Sequence, residues 1–187
     1  MKNQDLLDYI LGNVRLIIED REKLQKLCDF IRDEIEDDDD EIEEIEIPEK
    51  YKAVVHEAAG ELDADMVCFI NPDTLELVAV PTGMFDGTFE DDGSFEEELD
   101  RVYEQWEKNV RIEPPSSNMS YEIMERFIDE VVSDNRLKNK LTDAIGRKRP
   151  FANFRNIIDD SPLREKWFAF KQKCLEEYVY EELGIED

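Results

Sequence analysis

One histidine and three cysteines are all that this 187-residue chain offers to the commonest metal and nucleophile chemistry. Cys28, Cys68 and Cys174 stand far apart, form no Cys-x-x-Cys pair and leave an odd thiol over. That excludes a zinc ligand set read from spacing, and three inert thiols predict a reducing compartment. His56 lies beside Val55, Ala58 and Ala59, with Glu57 next in sequence. With no partner announced, it reads as a structural or surface residue rather than a general base or ligand. Glycine is also sparse. Seven residues are scattered, so neither a GxGxxG nor a GxxxxGK phosphate loop occurs, and there is no Gly-x-Ser-x-Gly elbow. No stretch approaches the roughly 20 apolar residues of a bilayer span. The opening Met-Lys-Asn-Gln-Asp leads into charged helical sequence rather than a signal-peptide core. The expectation is a cytoplasmic protein with no membrane partner, no cofactor and no metal.

Basic residues are the other shortage: 23 against 50 acidic, for a net charge of −27. Such a field repels nucleic-acid phosphates and favours solubility and basic partners. The distribution is uneven. From Asp33 to Glu46, 11 of 14 residues are acidic, and a second acidic stretch runs from Asp86 to Asp100. Between Arg136 and Arg155, by contrast, seven residues are basic and only Asp143 is acidic. A negative object carries one positive patch.

What is plentiful is apolar surface, 41 % of residues, with ten Phe, six Tyr and two Trp. A chain of this size buries about 70 % of its unfolded surface and needs no staples. Leu6, Ile10, Val14, Ile17 and Ile18, continued by Leu24, Leu27, Ile31 and Ile35, form a helical stripe. It ends where Asp37 to Asp40 stack like charges. These features predict a helical extension over 1–36, an acidic linker over 37–46 and a single domain over 47–187.

Within that domain Pro48 opens a helix whose apolar face is Tyr51, Val54, Val55, Ala58, Ala59 and Leu62. Met66–Ile70 and Leu75–Val80 read as a hairpin across Asn71-Pro72-Asp73-Thr74, with Pro at the second position of a type I turn. Residues 82–94 read as loop, and Leu99, Val102, Tyr103 and Trp106 as a short amphipathic helix. Residues 110–113 alternate as a strand stopped by Pro114-Pro115. Four helical faces follow. Tyr121, Met124, Phe127, Ile128 and Val131 form the first, with Asn118 or Ser120 as its cap. Leu137, Leu141, Ala144 and Ile145 form the second, and Phe151, Phe154, Ile157 and Ile158 the third. The last, Leu163, Trp167, Phe170, Cys174 and Tyr178, is entered through Ser161-Pro162 and closed by Gly184. The fold class is α+β: a small antiparallel sheet, from the hairpin over 66–80 and a strand near 110–113, packed with several helices, and a helical C-terminal half.

The C-terminal wording is distinctive. Met124-Glu-Arg-Phe127-Ile128 precedes Arg149-Pro150-Phe151-Ala-Asn-Phe154-Arg155, then Trp167-Phe168-Ala-Phe170 and Leu183-Gly184-Ile185. This resembles Uncharacterised Protein Family 0158, a bacterial family with a similar Arg-Pro-Phe-x-x-Phe-basic segment and a Trp-x-x-Phe helix. The hairpin and Ile112-Glu113-Pro114 are similar too, so the resemblance extends over roughly 47–187. It implies an architecture and brings no activity, substrate or catalytic residue.

Candidate chemistry is thin. Asp91-Asp92-Gly93-Ser94 is similar to part of a calcium loop. Placing Gly93 at position 6, however, puts Thr88 at position 1 and Leu99 at position 12, where carboxylates are required. Phe151, Phe154, Trp167 and Phe170 have the spacing of a core, and only secondarily that of a platform for stacking bases, which the acidity opposes. Arg147, Lys148 and Arg149 end a helix and Arg155 lies in the next. These four are the candidate anion or partner-binding residues. The alternative is that they serve the helix macrodipole and pair with neighbouring carboxylates. Two functions stay open. One is a protein-interaction or regulatory module with a protein partner. The other is an enzyme whose acid and base are carboxylates brought together from distant positions.

Overall fold

The structure is a computed structural model that describes residues 45–89 and 93–185, with positions 9, 14, 23, 26 and 27 besides. The chain divides into two units, Met1–Glu46 and Ile47–Asp187. In the first, the five isolated positions are helical, with Val14 and Leu27 half-buried and Tyr9, Lys23 and Lys26 exposed. The rest of the expected N-terminal stripe, and the acidic run through residue 44, lie outside the described residues.

The second unit opens with helix α1 (Glu49–Asp63), capped by Pro48, whose φ of −58° leads the chain into the first turn. Tyr51, Val54, Val55, Ala58, Ala59 and Leu62 are its buried residues, as the spacing predicts. Strands β1 (Met66–Ile70) and β2 (Leu77–Pro81) then pair antiparallel, Met66 opposite Pro81 and Ile70 opposite Leu77. The turn at Asn71-Pro72-Asp73-Thr74 is tied down by Asn71 and runs on through Leu75. Asn71 Oδ1 accepts from the backbone N–H of Asp73 (2.9 Å) and of Thr74 (3.1 Å). Leu75 then takes a left-handed φ of 60° and donates its N–H to the Asn71 carbonyl at 2.8 Å. Tying the loop to Asn71 lengthens it and delays β2 from Leu75 to Leu77. Asn71 is the buried polar residue among those described, and its bonds within the turn explain why it tolerates that position.

The stretch expected to be loop contains a short helix, α2 (Gly83–Asp86), before α3 (Ser94–Gln105). Gly83 is required there: a Cβ would lie 2.6 Å from Thr88 Oγ1, because Thr88 folds back to bond Asp86 Oδ1. Those bonds from Thr88 hold the Asp86 carboxyl below its ordinary pKa. Strand β3 (Val110–Ile112) joins the other edge of β1, giving the order β2-β1-β3, all antiparallel. It stops one residue early. The Glu113 carbonyl accepts from Tyr178 Oη at 3.2 Å.

Helices α4 (Ser117–Glu130), α5 (Asn135–Ile145), α6 (Pro150–Asp159) and α7 (Arg164–Glu182) complete the unit. Their caps differ from expectation. Ser116, not Asn118 or Ser120, caps α4 by accepting from the Met119 N–H at 3.2 Å. Asp134 caps α5 through the Leu137 N–H at 2.7 Å. Ser161 serves both helices: its hydroxyl donates to the Ile158 carbonyl at 2.8 Å, closing α6, and accepts from the Leu163 N–H at 3.2 Å, while α7 itself starts at Arg164.

Three cores result. One face of the sheet, with Cys68, Ile70 and Ile112, packs on α1 and on Leu175 and Val179 of α7. The other face, with Val67, Phe69, Val78 and Val80, packs on Val102 of α3. The third core belongs to the helices: Phe127, Leu141, Phe154 and Ile158 are buried in it, with Trp167 and Phe170 packed against them. Helix α7 serves two of these cores, so its stripe rotates. Beyond Cys174 the buried residues are Leu175 and Val179 rather than Tyr178. No described helix is long and apolar enough to cross a membrane.

Candidate functional site

The basic segment is built on α5, the connection that follows it, and α6. Helix α5 ends at Gly146 in ordinary right-handed geometry, φ −71°. The left-handed residue is instead Arg149, φ 62°, which also caps α6 ahead of Pro150. A left-handed non-glycine residue costs about 1–2 kcal/mol, so the surroundings must hold it. Asn153 does this. Its Nδ2 donates to the Ala144 carbonyl (3.2 Å) and the Lys148 carbonyl (3.0 Å), while its backbone N–H bonds the Arg149 carbonyl (3.1 Å).

The four predicted residues fare differently. Arg147 pairs with Asp143 at 3.6 Å and Arg155 with Asp159 at 3.5 Å, both largely exposed, so these two follow the pairing alternative. Lys148 and Arg149 are exposed and have no carboxylate partner among the described residues. The same holds for Arg136 and Lys140, one turn apart on α5, which sequence reading counted in the basic run without assigning them to a site. Other described cations take carboxylates, such as Arg126 with Glu130, Lys138 with Asp129 and Lys171 with Asp63. Among the described residues only Lys166 shares the unpaired state outside this segment. Lys140 and Arg147 border a hollow of 370 Å³ with Asn153, Asn156 and Ile157. Arg155 projects from the other side of α6, into a larger groove of 580 Å³ bordered by Phe151, Trp167, Phe168 and Lys171.

The aromatic residues form a core rather than a stacking platform, with one exception. Phe127 meets Phe154, Trp167 and Phe170 edge-on at centroid distances of 6.2, 5.1 and 5.5 Å. Phe151, expected on the buried face of α6, is 43 % exposed at the groove. As the second residue of α6 it projects past the end of the helical core.

Acid–base and thiol chemistry find little to build on. No described carboxylate is buried, and no trio of metal-ligating side chains converges among the described residues. Asp91 and Asp92 of the calcium-loop-like stretch, which its register already excludes as an EF-hand, lie outside the described residues. His56 Nδ1 lies 2.6 Å from Glu176 Oε1, and Gln172 donates to the His56 carbonyl at 3.1 Å. The exposed imidazole thus clips α1 to α7. Burial, reinforced by Glu61 and Glu57, pushes the Cys68 thiol up to about 12. Burial likewise pushes Cys174 up to about 11. Neither forms the thiolate a nucleophile needs. Cys28 lies outside the described residues.

Residues 88–187, more than half of the chain, match the model of an uncharacterised protein family, UPF0158. The match includes the Arg149-Pro150-Phe151 and Trp167-Phe168-Ala169-Phe170 segments, while α1 and the hairpin precede it. No curated protein and no solved structure matches the chain.

Proposed function

We propose that this chain, which belongs to the uncharacterised protein family 0158, is a cytoplasmic protein-interaction module that binds an acidic segment of a partner protein. The binding surface is the exposed face of α5 and the α5–α6 connection, with Arg147, Lys148 and Arg149 on the connection and Lys140 and Arg136 further back along α5. One observation carries the reading. In a chain of charge −27, the unpaired cations among the described residues gather in this one segment, Lys166 apart, and Asn153 fixes the backbone that presents Lys148 and Arg149. Elsewhere the surface field repels an acidic partner, so the orientation of binding follows from charge alone. Two free, buried thiols support a reducing compartment. The alternative of an enzyme with distant carboxylates requires a desolvated pair with separated pKa values. The described carboxylates are all at least partly exposed.

The test is affinity capture of partners from cell extract at low and high salt. It compares the natural chain with a variant carrying Gln at Arg136, Lys140, Lys148 and Arg149. A specific partner is expected at low salt, lost at high salt and lost in the variant, whose urea midpoint stays close to the original. Recovery that is the same with both proteins ends the proposal.

A further inference from the structure

The geometry points to an apolar subsite beside the charged one: the 580 Å³ groove between α4, α6 and α7 takes a bulky apolar side chain from the same acidic partner segment. This rests on the reading of the charged face and adds a specificity element to it. Helix α6 is the shared wall. One flank carries Phe151, Phe154 and Arg155 into the groove, and the other carries Asn153 and Asn156 to the smaller hollow that Lys140, Asp143 and Arg147 also line.

The groove has the size and lining of a binding cleft rather than a packing defect. Phe151 and Phe168, 43 % and 40 % exposed, line it together with the half-buried Trp167, and the Arg164 guanidinium lies over the Phe168 ring at 4.9 Å. Two large exposed rings at one cleft are informative, whereas a single exposed apolar residue is not. The groove's own charges are already matched, Lys171 to Asp63 and Arg155 to Asp159. The cleft itself therefore asks for an apolar group.

Charge identifies the occupant. Arg149 caps α6 and Phe151 is its second residue, so their Cα atoms are no more than about 7.6 Å apart along the chain. An extended segment with acidic side chains over Lys148 and Arg149 reaches Phe151 within about two residues. A second copy would set its whole −27 against a chain of the same charge, whereas a short acidic segment meets mainly the local cations.

The probes are short Glu/Ser peptides, alike except for one Phe or one Ser placed two residues from the acidic run. Binding to the full chain is followed by fluorescence anisotropy. The Phe peptide is expected to bind the natural chain roughly tenfold more tightly than the Ser peptide. That advantage is expected to vanish in Phe151→Ser/Phe168→Ser, and also in Ser120→Phe, which fills the groove from α4 without removing a ring. The salt dependence of both peptides should persist in these variants. Equal, salt-sensitive binding of the two peptides to the natural chain overturns the groove and leaves the charged face standing. An advantage that survives both groove variants places the contact elsewhere and overturns it too. Absence of binding by either peptide overturns both readings. Dimerisation abolished by Phe151→Ser would assign the groove to a second copy and overturn the inference.

Discussion

The side-chain amide of Asn153 donates to the carbonyl of Lys148 at 3.0 Å, so the residue that fixes the basic connection stands on the helix the connection leads into. The same amide group also bonds the Ala144 carbonyl at the end of α5. Two helices and three cations are thereby referred to one side chain.

Asn153→Ala removes both bonds, leaving the Lys148 carbonyl to water and the Ala144 carbonyl with only the backbone N–H of Arg147 at 3.4 Å. The expected loss is about 1–3 kcal/mol, read as a lower urea midpoint. A second expectation is specific to this arrangement: amide exchange should quicken at Arg147 to Arg149 while the sheet stays protected. Uniform quickening would show that Asn153 supports the whole unit rather than the connection.

Arg149 holds φ 62° against its side chain. Arg149→Gly relieves about 1–2 kcal/mol of left-handed strain and loses about 0.5–1 kcal/mol to the freer unfolded chain. The variant should therefore be slightly more stable, while its affinity for acidic peptides falls. Stability and binding moving in opposite directions is the signature. If both fall together, Arg149 serves the fold alone.

Within the helical core, Phe127 is fully buried and meets three rings, whereas Trp167 is half-buried at the groove. Phe127→Ala should cost about 3–5 kcal/mol and Trp167→Ala less, roughly 2–3 kcal/mol. Urea midpoints of the two variants decide the order. A larger loss for Trp167 would mean the groove is closed in solution.

The parts of this fold that were legible are those where one side chain repeats on one period. The six apolar residues of α1, the antiparallel hairpin and the helical faces of α4 and α5 obey 3.6-residue or alternating patterns that few alternatives satisfy. Illegible parts depend on a single polar group finding a distant partner. Ser161 has the look of an N-cap and its hydroxyl does accept from the Leu163 N–H, yet it also donates back to Ile158, and α7 starts only at Arg164. Asn71 lengthens the hairpin loop by bonding within it. At the candidate site the cluster of cations was visible in the sequence. Which of them remain unpaired was not, because Asp143 reaches Arg147 and Asp159 reaches Arg155 through helix geometry that the same spacing leaves optional elsewhere. Phe151 stands one helical turn before the buried Phe154 yet is exposed, because it lies in the first turn of α6, at the groove rather than in the core.

The three described cores draw their residues from Ile47 to Ile185. We propose that a chain beginning at Ile47 folds independently, and it should melt in one cooperative step by calorimetry. Broad or absent melting would mean that residues before Ile47 belong to the core.

Alkaline pH gives the final test, and its sign follows from the two described thiols. Cys68 and Cys174 are 0 % and 4 % exposed and held up at about 12 and about 11, against an ordinary thiol value of 9.0. The folded state keeps the proton while the unfolded chain releases it, so the stabilising contribution is complete below pH 9. As pH rises from 9 toward 11 and 12 the unfolded state is increasingly favoured, by up to about 1.4 kcal/mol per pH unit for each thiol. Cys68→Ala removes that slope but leaves a small cavity, so it should start less stable and lose less between pH 8 and pH 10.5. Native-state alkylation with iodoacetamide at pH 8 should likewise spare Cys68 and Cys174 until urea is added. Rapid labelling of either without urea, or parallel pH profiles for the natural and Cys68→Ala chains, would show that these thiols are not sealed in the core.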